Sequence, residues 1–473
     1  MNKNFRLLPS FFLISLVGVF TAAGIFSSCQ PVEEIVTTDP SAKLEFSEDT
    51  IFFDTVFTSL GSVTKRLQVL NPSENAVNIS SIRLGNTANS AYSLVINGIE
   101  MPEVRDMKLL GGDSLLVLVE VEIDPQDEDL PFVVNDSVIF EVNSNVQDVN
   151  LVSWGQDAVF FRGGLQAVEC DAIWTSNRPY VIYDSLVILE DCELTMEPGT
   201  KVYLADNASL FVGGTINILG SAEEPVQIQS VRLDGEYATQ YGQWNGIYFL
   251  RNSRDNFIDW AEIRNGTIGL YLGTPDADDT PDLVLQNTKI ENMALHGIQC
   301  ITSDLLMTNS LINNCVVNTL RCTAGGNYSL FHNTFASVST NFFRDEPSFA
   351  MATFQDLGNG TVLSEDLQLT MANNIVWGRL EEELILASDE QSSLVVGASQ
   401  NIFKTIIEDL ENGNILNEDP IFNNPFEQDF SLDTIGESPA IDVGLELGVE
   451  TDLAGNQRDS LPDIGAYEFV KEE

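Results

Sequence analysis

Both histidines of this chain and three of its six cysteines fall within 37 residues: His296 and Cys300 in "HGIQC", Cys315 and Cys322 in "NNCVVNTLRC", His332 in "LFH". Imidazole nitrogens and thiolates are what tetrahedral zinc takes, four of them converging at about 2.0 to 2.3 Å. A second group is acid–base in character: Asp259, Glu262 and Glu291 lie near Arg264 and Lys289. Paired carboxylates serve glycoside hydrolysis, and a basic side chain can abstract a proton in a lyase. A third is the acidic loop "PDADDTPD", whose Asp276, Asp278 and Asp279 offer oxygen ligands to Ca²⁺ without the spacing or the glycine of an EF-hand.

Which of these groups can act depends on the elements that carry them. Three windows align on an asparagine: "LVLQNTKIENMALHGIQC" on Asn287, "LLMTNSLINNCVVNTLRC" on Asn309 and "SLFHNTFASVST" on Asn333, with steps of 22 and 24 residues. Windows around Trp260 and Asn373 fit the same frame. A period near 22 with strand-type alternation predicts a parallel β-helix, whose turns stack about 4.8 Å apart and whose crossovers are right-handed. Asn287, Asn309 and Asn333 are then expected to form a side-chain ladder at one corner. The frame places Cys300 and Cys322 at the same inward position one turn apart. His332 falls at an outward position, and His296 and Cys315 fall at turns. Four ligands cannot converge from such positions, so the zinc reading fails and no metal or other cofactor is expected, with calcium left open. A Cys300–Cys322 bond is compatible with the frame but not favoured, because in-register Cβ vectors run parallel. Cys170 and Cys192, also 22 apart, are the better disulfide candidates in an oxidising compartment.

On the outward columns, Asp259, Arg264, Lys289 and Glu291 are the weak catalytic candidates; solvated strands carrying cross-strand ion pairs look the same. Trp244, Tyr241 and Tyr248 could offer a sugar a stacking platform, although burial under a loop suits Trp244 better. Upstream, residues 42–161 alternate with period two, as in "KRLQVLNPSENAVNISSIRL" and "DSLLVLVEVEIDP", and predict a β-sandwich; the segment resembles immunoglobulin-like domains. "DPQDEDL" reads as one of its turns. The whole chain is therefore expected to be all-β. Its 22 Lys and Arg against 71 Asp and Glu, a net charge of −49, exclude a nucleic-acid partner and disfavour anionic polysaccharides unless Ca²⁺ bridges them.

Residues 1–28 combine Lys3 and Arg6 with an apolar run from Phe11 to Phe26, an export signal slightly short of a membrane span. The "FSSC" that follows resembles the lipobox of bacterial lipoproteins, although Phe26 replaces the commoner leucine. That resemblance implies acylation of Cys29, residues 29–41 as a tether, and an outer-membrane lipid as one partner. Glu33 and Glu34 resemble the surface-export signals of Bacteroidetes lipoproteins, which implies display at the cell surface.

"LTMEPGTKVYLADNASLFVGGTINILGSAEEPVQIQS" and "GQWNGIYF" resemble the opening turns of right-handed parallel β-helix repeat proteins of the pectate-lyase-like group. "SPAIDVG", "TDLAGNQ" and "DIGAYEF" resemble that group's C-terminal motif. The resemblance implies a β-helix over 165–435 and a capping motif over 436–473. In that cap Asp442, Asp452, Arg458, Asp463 and Glu468 are read as structural, pinning a cover over the last turn's open strand edges. It implies fold more firmly than reaction. The functional expectation is a lipid-anchored, non-catalytic surface protein that binds a neutral polysaccharide or a surface partner; the alternative is a polysaccharide lyase or glycoside hydrolase using the outward columns.

Overall fold

The computed structural model describes residues 34–470, apart from 59–60, 63, 88, 234, 236, 274–279, 340–341, 359, 411 and 434–436. The signal segment, Cys29 and the calcium candidates Asp276, Asp278 and Asp279 lie outside the described residues. Among those described the chain is nearly all β, with only two short 3₁₀ turns, and no helix is long and apolar enough to cross a membrane.

The chain forms two compact units. One takes residues up to Asp124 with Phe132–Gly155; the other takes Pro125–Pro131 and everything from Gln156 on. In the first, two five-stranded sheets enclose a core that includes Phe53, Leu67, Val69, Ile79, Val117, Phe140 and Leu151. Alternation explains the packing: in Lys65–Leu70 and Ser114–Val121 every second residue is buried, as period two requires of a sheet with one wet face. Lys65–Leu70 and Val77–Leu84 belong to different sheets. The buried Asn71 fixes the crossing between them by donating to the carbonyls of Asn75, Leu109 and Leu110. The "DPQDEDL" segment links two sandwich strands, Ser114–Val121 and Phe132–Val142. Residues 125–131 group with the second unit, where Asp127 and Asp129 hold Arg178 at 3.1 and 2.5 Å.

The second unit is built from two long parallel sheets, one of 11 strands and one of 16. Successive turns of chain add one strand at a time: Leu283–Gln286 pairs in register with Leu305–Thr308, and those residues pair with Tyr328–Phe331. The 16-stranded sheet joins two columns of strands, because His296–Thr308 and Asn318–Phe331 each run through both. Such stacking is compatible with a β-helix-like fold. The interior is filled by one aliphatic column after another, including Leu194, Ile216, Ile258, Leu285, Met307 and Leu330, all fully buried.

The corners carry left-handed backbone, which asparagine tolerates better than most residues. Trp260, Asn287, Asn309, His332, Asn373 and Gln400 all have φ between 49° and 57° and occupy one corner. This corrects the expected ladder by one residue. Leu311 pairs with Thr334, so His332 stands beside Asn309, and Asn333 stands beside Ser310. Two ladders result. The outer one runs from Asn309 Nδ2 to Asn287 Oδ1 at 2.6 Å and from Asn287 Nδ2 to Asp259 Oδ1 at 2.7 Å; farther along, Asn373 and His332 Nε2 meet at 2.8 Å. The inner one is fully buried along most of its length. Asn333 donates to Asn374, Asn374 to Asn401, and Asn401 to Asn414, at 3.0, 2.9 and 2.8 Å.

Candidate functional site

The cysteine and histidine cluster resolves into separate places. Cys300 and Cys322 pair in register inside the core, both fully buried as free thiols, and burial first of all holds the Cys322 thiol protonated. Cys315 lies in the turn between Leu311–Asn313 and the strand from Asn318, and is buried there, its thiol pushed up to about 12 by burial. His296 opens a strand and is buried, with its Nδ1 unpartnered; burial, then the Arg321 charge, lowers it to about 4. His332 falls at the corner in the outer ladder, where the C-terminal segment leaves it 1% exposed, and burial and then Arg458 lower it to about 3. Among the described residues no three His, Cys, Asp or Glu side chains gather as a metal site. Cys170 and Cys192 are bonded, their Cα atoms 4.7 Å apart.

Four of the acid–base candidates, Glu262, Arg264, Lys289 and Glu291, share one face, the outer side of the 11-stranded sheet, while Asp259 ends a strand of the other sheet at the corner. Glu262 pairs with Lys289 and then Leu311; Arg264 pairs with Glu291 and then Asn313. The Arg264 guanidinium lies 3.0 Å from both Glu262 and Glu291, and Asn313 donates to the other Glu291 oxygen at 2.9 Å. Asp259, at the end of the outer ladder, accepts from Asn287; burial raises its pKa, with Asn287 opposing the shift. Lys289 faces Asp429. Burial acts to raise that carboxyl, but Ser431, Asn423 and Lys289 together hold it below the ordinary range.

This face is covered by the chain itself. Alternate residues of the sheet point to two different cores. Ile312, Phe335, Val376 and Phe403 face the interior, while Leu311, Ala336, Trp377 and Ile402 face outward onto Phe422, Phe430, Leu453 and Ile464 of the C-terminal segment. The C-terminal motif thus lies along the flank of the sheet and does not close the last turn, as the sequence had suggested. Its attachment points explain this: Leu445 and Gly465 bind Asn373, Ala466 binds Thr334, and Asn309 donates to the Thr451 carbonyl. These are corner groups spread over several turns.

The motif's charged residues build this strap. Arg458, 2% exposed, reaches Glu468 at 3.0 Å and donates to Asn309 Oδ1 and the Gly465 carbonyl, each at 2.9 Å. Asp452 accepts from the backbone N–H groups of Ala454, Asn456 and Glu468. Asp463 accepts from those of Asp442 and Phe469, yet burial outweighs these bonds and raises it to about 6. Tyr467 is half-buried above Glu291 and Glu262, its hydroxyl kept neutral by burial and then by the neighbouring carboxylates.

The 16-stranded sheet presents a different outward column. Phe211, Tyr248 and Tyr271 succeed one another in register, with ring centroids 5.5 and 5.6 Å apart. All three are half-buried. Sequence reasoning named Tyr248 but missed Phe211 and Tyr271, although all three occupy the next-to-last place of a strand, as in "SLFV", "GIYF" and "IGLYL". Of the other platform candidates, Trp244 is 1% exposed and donates to the Arg264 carbonyl, and Tyr241 meets Phe342 edge-on.

No protein-family model matches the sequence, and no curated protein matches it. Among solved structures, a complex of XylC with xylose is similar at 12% identity and a TM-score of 0.39, covering 89% of each chain. A Porphyromonas gingivalis W83 protein of unknown function is similar at 12% identity and a TM-score of 0.17, over 24% of this chain and 46% of that one. The Vibrio cholerae VesB protease is similar at 14% identity and a TM-score of 0.17, over 24% and 31%. The chain thus spans less than half the length of the latter two. At these TM-scores the likenesses carry no argument about activity.

Proposed function

We propose that this is an exported, lipid-anchored surface protein in which an immunoglobulin-like sandwich precedes a right-handed parallel β-helix, and that it binds a carbohydrate or surface partner without acting on it chemically. One observation carries the reading. The face that holds Glu262, Arg264, Lys289 and Glu291 adjoins the protein's own C-terminal strap through Tyr467 and Asp429, and Arg264 is paired to two carboxylates there. A base paired in this way has no lone pair to offer, and a covered column cannot receive a polymer. The other sheet keeps its outward aromatic column, and sugar rings stack their C–H faces on such rings. Anchoring rests on the residues around Cys29. The acidity that repels nucleic acid and anionic lipid is compatible with a neutral polysaccharide.

The test is to incubate the chain from residue 30 onward with diverse polysaccharides, with and without Ca²⁺, and to score retention and new chain ends. Retention without cleavage is expected, and it should weaken in Tyr248→Ala. Cleavage abolished by Arg264→Ala would overturn the non-catalytic reading; neither retention nor cleavage would remove the carbohydrate reading. Lipid labelling lost in Cys29→Ser tests the anchor.

A further inference from the structure

The outward column of the 16-stranded sheet continues past its aromatic rings. Tyr271 pairs with Gln299, Gln299 with Arg321, Arg321 with Ala350, and Ala350 with Ile385. Where long side chains give way to alanine the surface drops into a recess of about 230 Å³, lined by Arg321, Asn318, Thr323, Glu346, Ala350 and Ile385 among others. That is below the ~300–1,000 Å³ of pockets for drug-sized ligands, and of a scale for one sugar ring.

Arg321 is what makes the recess unusual. Arg264, Arg344 and Arg458 each pair with a carboxylate. Arg321 is half-buried, yet among the described residues it has neither an ion pair nor a hydrogen-bond partner. Glu346 shares the recess but stands beyond ion-pair distance. Withdrawing a guanidinium from water without a counter-charge is unfavourable. That such an acidic chain places no carboxylate on it points to an anion supplied from outside. A guanidinium's planar fork matches a carboxylate in two parallel hydrogen bonds. Ala350 and Ile385 offer an apolar floor to a ring's C–H face, and Glu346 can accept from its hydroxyls.

Charge also limits the ligand. At a net −49 a polyanionic chain would be repelled along its length, whereas one negative group on a neutral chain would not. We propose that the Arg321 recess binds a single terminal sugar bearing a carboxylate, while the preceding neutral rings of the same glycan lie along Gln299 and Tyr271. The proposal rests on the carbohydrate-binding reading and adds the class of sugar and its polarity on the sheet.

The experiment is calorimetric titration of the chain from residue 30 onward with sialyllactose, a trisaccharide ending in glucuronic acid, the methyl ester of each, and polygalacturonate. At least one acid-ended trisaccharide is expected to bind about tenfold or more tighter than its ester, with polygalacturonate weaker than that trisaccharide. Arg321→Gln should abolish the acid–ester difference with the unfolding midpoint unchanged, and Tyr271→Ala should weaken acid and ester alike. Equal binding of acid and ester, indifference to Arg321→Gln, or no binding of either acid-ended trisaccharide would overturn the proposal. If neutral polysaccharides are still retained in a Tyr271-dependent way, only the Arg321 proposal falls. If nothing is retained, the carbohydrate reading falls with it.

Discussion

The outward faces of the two parallel sheets arise from the same turns of chain and have opposite fates. On the 11-stranded sheet the later strands Thr334–Ser337 and Ile375–Gly378 are buried at every residue, because one alternate set faces the interior and the other faces the strap. On the 16-stranded sheet Ser209–Val212, Gly246–Phe249 and Ile268–Leu272 leave Phe211, Tyr248 and Tyr271 at an open flank. The difference shows in the charges as well. Arg264 and Arg458 on the covered side have carboxylate partners, and the half-buried Arg321 on the open side has none among the described residues. An outward column in such a stack is therefore an internal interface or an external one according to what the rest of the chain lays over it. The cysteines repeat the lesson. Two in-register pairs lie 22 residues apart, and the one at a turn is bonded while the one inside a strand stays reduced.

The sharpest way to break the contrast is to remove one arginine from each side. Arg458→Ala leaves Glu468 buried without its partner and is expected to cost about 3–5 kcal/mol in chemical denaturation, with protease cleavage appearing first within the strap. Arg321→Ala should stay within about 0.5 kcal/mol, since no internal partner is lost. Equal costs would mean that the strap contributes no more than the open face.

Asn374→Ala tests whether the inner ladder stiffens the covered side. It strips Asn333 of its acceptor and Asn401 of a donor, all three being fully buried, at about 1–3 kcal/mol for each group left unpaired. Asn287→Ala, at the half-buried end of the outer ladder, should cost less in the same urea titration.

The strap's seat also has a pH signature. His332, packed against Asn373, Arg458, Asp463 and Gly465, has its pKa lowered from 6.5 to about 3. The unfolded chain then takes up the proton first, so this contribution is complete above pH 6.5 and is lost as pH falls toward 3. Asp463 has the opposite sign. Raised to about 6, it stabilises below pH 3.8, and that contribution is lost as pH rises through 6. His332→Asn, which restores asparagine to the corner, should flatten the loss of stability between about pH 6.5 and 4; an unchanged acid limb would place that loss elsewhere. On the open face, Tyr248→Ala should cost under about 1 kcal/mol of stability, read as the shift of the urea midpoint, because only cross-strand ring contacts are lost.

Much of this was legible in the residues. Strand-type alternation with steps near 22 implies an all-β chain with long parallel sheets, and the columns Glu262–Lys289–Leu311 and Arg264–Glu291–Asn313 follow from aligning its windows on Trp260, Asn287 and Asn309. The runs "TFAS" and "NIVWG", which lack any charged residue and do not alternate, also carried a signal of burial on both faces that an alternation reading passes over. Asn333 was misplaced because two neighbouring columns both use asparagine. One column uses it for left-handed backbone and the other for buried side-chain bonds, and the residue name does not distinguish them.

What the sequence determined alone is the local rule, which residues of a strand point in and which point out, because a side-chain period of two is fixed by backbone geometry over a few residues. What only the tertiary structure decided is the fate of the outward set. Arg458 meets Asn309 across 149 residues of chain, and a contact at that range depends on the path of everything between. That contact, with its neighbours, turned a face of candidate catalysts into the seat of a strap and left the aromatic column and Arg321 facing out.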